Sequence, residues 1–315
     1  MGSGDNADAG KITGVVPPMI TPFDDDGRIY ELGLANVINF LVERGVQGLF
    51  AIGSYGSFPL LETSERKQLA EMIMRHVNGR VPVIIQIGSP ATHIAVELAR
   101  HAAGVGAAAV ASVVPFYYSG FAYGDDEIVA HYAALCKAVE VPVYAYNNPK
   151  TTGFQMSLDL IRRIASVGVT GMKDSSGDYA YLVEVIRELD KVAPDFSVMS
   201  GSASLYQPLY YQGAQGCVAG TSNAFPELLV SLAQALQSGD LAQASQLQGL
   251  VIALRKIQAV RGFRPASCYT LLRMRGLDVG TVRAPWVEPD LREAKEMEDA
   301  IAALGILQDS DLIVA

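Results

Sequence analysis

Short apolar, β-branched runs alternate along this chain with longer stretches in which apolar positions recur every three or four residues. The runs lie at 14–20, 48–52, 81–87, 107–114, 141–146, 169–173, 196–200 and 216–219, and each has the length of a strand buried on both faces. Between them, amphipathic helices are predicted over 32–43, 64–77, 92–103, 126–139, 157–166 and 179–191, with Thr63 and Ser157 as caps. Strands alternating with helices at a spacing of roughly 25 to 35 residues predict a (β/α)8 TIM barrel. A doubly wound sheet is the alternative, but the first strand-to-helix turn, Thr21-Pro22-Phe23-Asp24-Asp25-Asp26-Gly27, has no glycine-rich phosphate fingerprint. After Asn223 only helical periodicity remains, over 226–237, 240–260 and 288–304. The expected organisation is a disordered tail over 1–10, a barrel catalytic domain over 11–224, and a C-terminal helical appendage over 225–315 packed on the barrel.

Composition narrows the function. Half of the 315 residues are hydrophobic, which allows one large core. The net charge is −9 and no basic block occurs, so nucleic acid is not an expected partner. A small anionic ligand is still allowed, because net charge says little about a pocket. Cys136, Cys217 and Cys268 lie far apart without metal-ligand spacing and read as reduced thiols of a cytoplasmic protein. The longest apolar stretch, 105–118, is interrupted by Ser112 and Pro115 and is too short to cross a membrane. Residues 1–10 lack the apolar segment of a signal peptide. His93, Glu97 and His101 share a helical face, for which a solvated outer surface is expected rather than a metal stripe. Gly104-Val105-Gly106 follows a helix and reads as its stop. Arg261 and Arg264 could approach the barrel mouth, with surface pairing as the default. No metal, flavin or nicotinamide signature is present, and no cofactor is expected.

In a barrel, chemistry belongs where the βα loops converge, at the carboxyl ends of the strands. Those ends supply Gly53-Ser54-Tyr55-Gly56-Ser57, Pro115-Phe116-Tyr117-Tyr118, Tyr146 and Lys173. A lysine closing a buried strand has its pKa lowered by desolvation, and a neutral amine attacks a keto group to form a Schiff base. Hydroxyls of Ser54, Tyr117 and Tyr146 could relay protons around it, and the Ser54-Tyr55-Gly56 backbone could hold a carboxylate. Each residue alone has a plain alternative: Tyr146 closing a strand, Ser54 capping a helix, Tyr117 packing beneath a loop. Their joint placement at strand ends is what the plain account leaves unexplained.

The segments Gly53-Ser54-Tyr55-Gly56-Ser57, Pro115-Phe116-Tyr117, Tyr146-Asn147-Asn148-Pro149-Lys150-Thr151-Thr152-Gly153 and Gly171-Met172-Lys173-Asp174-Ser175-Ser176-Gly177-Asp178 resemble the dihydrodipicolinate synthase and N-acetylneuraminate lyase family. The likeness runs from Gly14 through the C-terminal helices. It implies a homotetrameric class I enzyme, a dimer of dimers, acting on pyruvate or another 2-keto acid together with an aldehyde. Lys173 would form the imine, Tyr146 would be the acid/base, Ser54 the relay hydroxyl, and Tyr117 would come from a neighbouring subunit. Ser54, Tyr55 and Gly56 would bind the keto-acid carboxylate, and Val218 would line the pocket.

Three positions depart from the family pattern. Where its synthases carry an arginine for the second substrate's carboxylate, this chain has Thr151, which disfavours aspartate semialdehyde. Tyr55 and Ser57 stand where threonine and glutamate are usual, and a phenol at 55 narrows or reshapes the pocket. The Lys-Asp-Ser-Ser-Gly-Asp wording is closer to 2-keto-3-deoxy sugar acid and hydroxy-oxoglutarate aldolases. The expected reaction therefore makes or cleaves a carbon–carbon bond between pyruvate and an aldehyde. The alternatives are a synthase or keto-deoxy acid dehydratase using the same imine, and a non-catalytic keto-acid-binding paralogue in which Tyr55 fills the acceptor site.

Overall fold

The computed structural model describes residues 12–119, 121–260 and 264–306, the Arg264 side chain excepted. The tail expected over 1–10 and the side chains of Arg261 and Arg264 lie outside the described residues. Strands and helices follow one another as β1 (Gly14–Val15), α1 (Glu31–Glu43), β2 (Leu49–Ala51), α2 (Thr63–Val77), β3 (Val83–Gln86), α3 (Thr92–Gly104), β4 (Ala109–Val113), α4 (Asp125–Ala138) and β5 (Val143–Asn147). Then come α5 (Pro149–Thr152), α6 (Leu158–Ser166), β6 (Gly171–Asp174), α7 (Tyr179–Val192), β7 (Ser197–Ser200), α8 (Tyr206–Tyr210) and β8 (Gly216–Cys217). The remaining helices are α9 (Pro226–Ser238), α10 (Leu241–Ile257), α11 (Arg264–Met274) and α12 (Leu291–Ala303).

All eight strands are parallel and stand in the order β1-β8-β7-β6-β5-β4-β3-β2, so each neighbours its successor in sequence. A doubly wound sheet would reverse direction at a switch point, and none occurs. The two end strands meet through a bridge between Pro18 and Phe50, where the Phe50 N–H donates to Pro17 O at 2.9 Å and the Met19 N–H to Phe50 O at 3.0 Å. Every residue of every strand is buried, as a parallel sheet covered on both faces requires.

The first strand is shorter than its apolar run predicts. Pro17 and Pro18 have no N–H to give a ladder, so regular pairing stops at Val15 and only the isolated bridge continues it. The helix caps divide. Ser157 accepts the Leu160 N–H at 3.1 Å as expected, whereas Thr63 is already inside α2 and Glu62 is its cap, with its own N–H donating to Glu65 at 2.9 Å. On α3, Glu97 pairs with Lys67 and His101 contacts Glu71 at 2.9 Å, so these two side chains are engaged with α2. Among the described residues no cluster of three His, Cys, Asp or Glu could hold a metal, and no helix is long and apolar enough to cross a membrane.

Candidate active site

The carboxyl ends of β5 and β6 build the centre. Tyr146 and Lys173 are register partners on these two strands, and in a parallel pair such residues project to the same face. Both are 3% exposed. Lys173 Nζ lies 4.1 Å from the centre of the Tyr146 ring and 4.0 Å from that of Phe50, which meets Tyr146 edge-on. Burial holds the Lys173 amine below the usual lysine range, outweighing Tyr146, which favours its protonation. Burial pushes the Tyr146 phenol up, but the positive charge of Lys173 and hydrogen bonds to Ser54 and Ser175 outweigh it and hold the phenol below its usual range.

The Ser54 hydroxyl stands 3.3 Å from Tyr146 Oη, and the Asn148 amide donates to the same oxygen at 3.2 Å. The β2 turn that carries Ser54 is under backbone strain. Ile52, β-branched, has φ 55°, and Ser57 has φ 57°, both in the left-handed region. Such strain persists only where surroundings enforce it, and it clusters at ligand-holding loops. Here Thr21 helps, its hydroxyl donating to Gly56 O at 2.8 Å.

Next to the lysine at the end of β6, Asp174 clamps the strand ends. Its carboxylate accepts from Asn147 Nδ2 at 2.6 Å, from the Ser176 N–H at 3.0 Å and from the Ser176 hydroxyl at 2.6 Å. Burial raises its pKa while these donors oppose the rise. Asn147 in turn accepts the Met156 N–H at 3.2 Å, which ties the β5 loop to the β6 loop.

These groups open into a cavity of about 200 Å³. Of the residues singled out from sequence, Ser54, Tyr55, Tyr146, Thr151, Lys173 and Val218 all line it. Gly56 lies behind the wall, hydrogen-bonded to Thr21, and Tyr117 does not reach the cavity of its own chain. Tyr117 is 75% exposed with φ 80°, and its ring meets Tyr118 edge-on at 5.0 Å in a surface group that also includes Phe121. Thr151 donates its hydroxyl to Asn148 O at 3.2 Å and presents no charge. Tyr55 lies across Gly220, where any Cβ would overlap the phenol, so the glycine is what lets the ring lie there. Sequence reasoning missed Asn148, Lys150, Ser175, Gly220 and Arg255. Of these, Asn148, Lys150 and Ser175 lie within the quoted motifs without having been singled out, whereas Arg255 arrives from α10 with no local signal.

The family model for the dihydrodipicolinate synthetase family matches residues 11–304. A DapA-like lyase of Halobacterium salinarum is 36% identical over 93% of this chain and 94% of its own length. A probable 2-dehydro-3-deoxy-D-pentonate aldolase of Escherichia coli is 32% identical over 93% of this chain and 96% of its own. Among solved structures, YagE, a prophage protein of the dihydrodipicolinic acid synthase family from E. coli K12 in complex with pyruvate, superposes with a TM-score of 0.90 at 26% identity, covering 93% of this chain and 99% of that one. Dihydrodipicolinate synthase DapA-2 of Bacillus anthracis gives 0.86 at 28% identity, over 93% and 98%. A match along almost the whole chain, in sequence and in backbone, leaves one reading: the chain belongs to the dihydrodipicolinate synthetase family and is a class I enzyme, a pyruvate-dependent lyase or synthase.

Proposed function

We propose that this enzyme is an aldolase making or cleaving the bond between C3 of pyruvate and the carbonyl carbon of an aldehyde, with a 2-keto-3-deoxy sugar acid or hydroxy-oxoglutarate as the joined form. The observation that carries it is the Lys173–Tyr146–Ser54 arrangement: a buried amine at 4.1 Å from a phenol ring whose hydroxyl is in turn 3.3 Å from a serine. The neutral Lys173 amine attacks the C2 carbonyl, and the carbinolamine oxygen leaves as water after taking a proton from Tyr146. In the cleavage direction Tyr146 takes the proton of the C4 hydroxyl, the C3–C4 bond breaks, and its electrons pass to the iminium as the aldehyde departs. Protonation at C3 and hydrolysis of the imine then release pyruvate. The Ser54-Tyr55 turn holds the keto-acid carboxylate, and Thr151 and Val218 border the substrate.

Tyr117 fits a role outside its own cavity. Its strained backbone and exposed ring suit insertion into a neighbouring subunit, which supports at least a dimer, and the family likeness extends this to a homotetramer built as a dimer of dimers. The three unpaired cysteines favour the cytoplasm. The 2-dehydro-3-deoxy-pentonate aldolase relative and the uncharged Thr151 support an aldolase over a synthase that uses aspartate semialdehyde.

Incubating the enzyme with 2-keto-3-deoxy acids and following products by NMR tests this reading. Pyruvate and an aldehyde in equal amounts are expected. A dehydrated keto acid without pyruvate would make it a dehydratase, and binding without turnover a non-catalytic paralogue.

A further inference from the structure

Asn148 stands where an asparagine ordinarily caps a helix, and it does not cap one. It precedes the short helix α5, with Pro149 at the first helical position, and its side chain accepts no backbone N–H. The donors of that turn go instead to its main-chain carbonyl, which accepts the Thr151 and Thr152 N–H groups at 3.0 and 3.1 Å and their hydroxyls at 3.2 and 3.1 Å. The backbone is thereby anchored and the side-chain amide is left for another use. Tyr146 and Asn148 are two residues apart at the end of β5, where φ −138° at Asn148 keeps the chain extended, and both line the cavity. Asn147, between them, turns away to Asp174 and Met156.

The amide reaches Tyr146 Oη at 3.2 Å through Nδ2, in a buried contact, and an amide N–H can only donate. Around the same phenol stand the Ser54 hydroxyl at 3.3 Å, the Ser175 hydroxyl, the amine of Lys173 and, against the ring, Phe50. Among the described residues no carboxylate lines the cavity, so these surroundings favour negative charge on the phenol oxygen. Resting on the aldolase reading above, we propose that Asn148 is a positioning residue for the acid/base step, its N–H orienting the Tyr146 oxygen and stabilising it once the phenol has given up its proton. When the carbinolamine oxygen takes that proton, the Tyr146 O–H bond breaks and a phenolate remains. The Asn148 N–H then donates to a charged acceptor, in a bond roughly twice as strong as to a neutral one. Taking the C4 hydroxyl proton during cleavage restores the phenol. The amide itself gives up no proton, and it acts through Tyr146.

That role fixes the sign of a measurable shift. Ionisation of Tyr146 is followed by NMR of protein labelled with carbon-13 at tyrosine Cζ, its resonance identified among the 14 tyrosines by its absence in Tyr146→Phe. Asn148→Leu removes the donor at similar size, and Asn148→Asp keeps the shape but replaces the donor with an acceptor. The titration midpoint should rise by about one pH unit in Asn148→Leu and further in Asn148→Asp. The same direction is expected on a Lys173→Ala background, where the neighbouring charge is gone. In the presence of Lys173, kcat for cleavage should fall by about threefold to tenfold, and the limb of its pH profile that belongs to the phenol should move with the resonance. If Asn148→Leu fails to fold, Asn148→Asp carries the test of sign.

A midpoint that stays where it is in both variants would overturn the proposal. So would one that falls in Asn148→Leu, because the amide would then face the phenol with its oxygen and retain the proton there. A loss of kcat with no shift would reduce Asn148 to a piece of cavity wall and overturn it equally. The aldolase reading fails separately. No cleavage of 2-keto-3-deoxy acids by the wild type, with the shift present, sinks that reading and leaves the hold of Asn148 on Tyr146 standing, and cleavage without the shift does the reverse.

Discussion

Tyr146 and Lys173 face each other as register partners across β5 and β6, with Lys173 Nζ 4.1 Å from the centre of the Tyr146 ring. Their proximity needs no loop conformation, only the pairing of two adjacent parallel strands. A slip of one residue in that register would turn one side chain to the opposite face of the sheet and separate them. Asp174 and Asn147, the next register pair, are joined by a 2.6 Å hydrogen bond that pins the same alignment.

Tyr146→Phe separates catalysis from packing. It retains the ring against Phe50 and deletes the hydroxyl shared with Ser54 and Asn148. Turnover should fall by about a hundredfold to ten-thousandfold, the usual worth of a positioned acid/base. Stability should change by about 1 kcal/mol or less. Thermal unfolding and turnover measured on one sample check this, and near-normal turnover would remove Tyr146 from the chemistry.

The rate of imine formation should rise with pH with a midpoint below the ordinary lysine value of 10.5, because burial lowers the Lys173 pKa and the neutral amine is the nucleophile. The phenol of Tyr146 works against that shift by favouring the protonated lysine. Its loss in Tyr146→Phe should therefore move the rise to lower pH, even as later steps slow. Trapping rates across a pH series in both proteins give the two midpoints. A wild-type midpoint at 10.5 would mean that the amine behaves as a solvated lysine.

Tyr55 and Gly220 should behave as a coupled pair. An alanine at 220 meets the far end of the Tyr55 phenol and forces it off the cavity wall, and a Tyr55→Thr background removes that overlap. Gly220→Ala alone should alter the KM for the aldehyde severalfold, and the effect should largely disappear in the double variant. Tyr55→Thr alone should admit longer aldehydes. Additive effects of the two substitutions would mean that the phenol does not depend on the glycine.

Much of this was legible in the sequence because a parallel barrel writes its strands as apolar runs and places chemistry at their ends. The run before Lys173 and the one before Tyr146 each end where β6 and β5 end, within a residue. The prolines after Val15 mattered more than the apolarity of their neighbours, so 14–20 became a two-residue strand. Helix α11 was missed for the opposite reason. Ala266, Ser267, Cys268, Tyr269, Leu271 and Leu272 are all buried, and a helix covered on most sides shows no apolar stripe against a polar face. The cavity's remote contributors were illegible in principle. Arg255 reaches the site from a helix packed beside Ser204, and Gly220 takes its meaning from a ring on a different strand's loop.

The central claim is that Lys173 is the imine-forming amine, and reductive trapping tests it most directly. Borohydride added with pyruvate, followed by proteolysis and mass spectrometry, should place a carboxyethyl adduct on Lys173 and abolish activity. Lys173→Arg, which retains a cation but has no amine to attack with, should remain unlabelled and inactive. An adduct on another residue, or no adduct in the wild type under conditions of full turnover, would contradict the account.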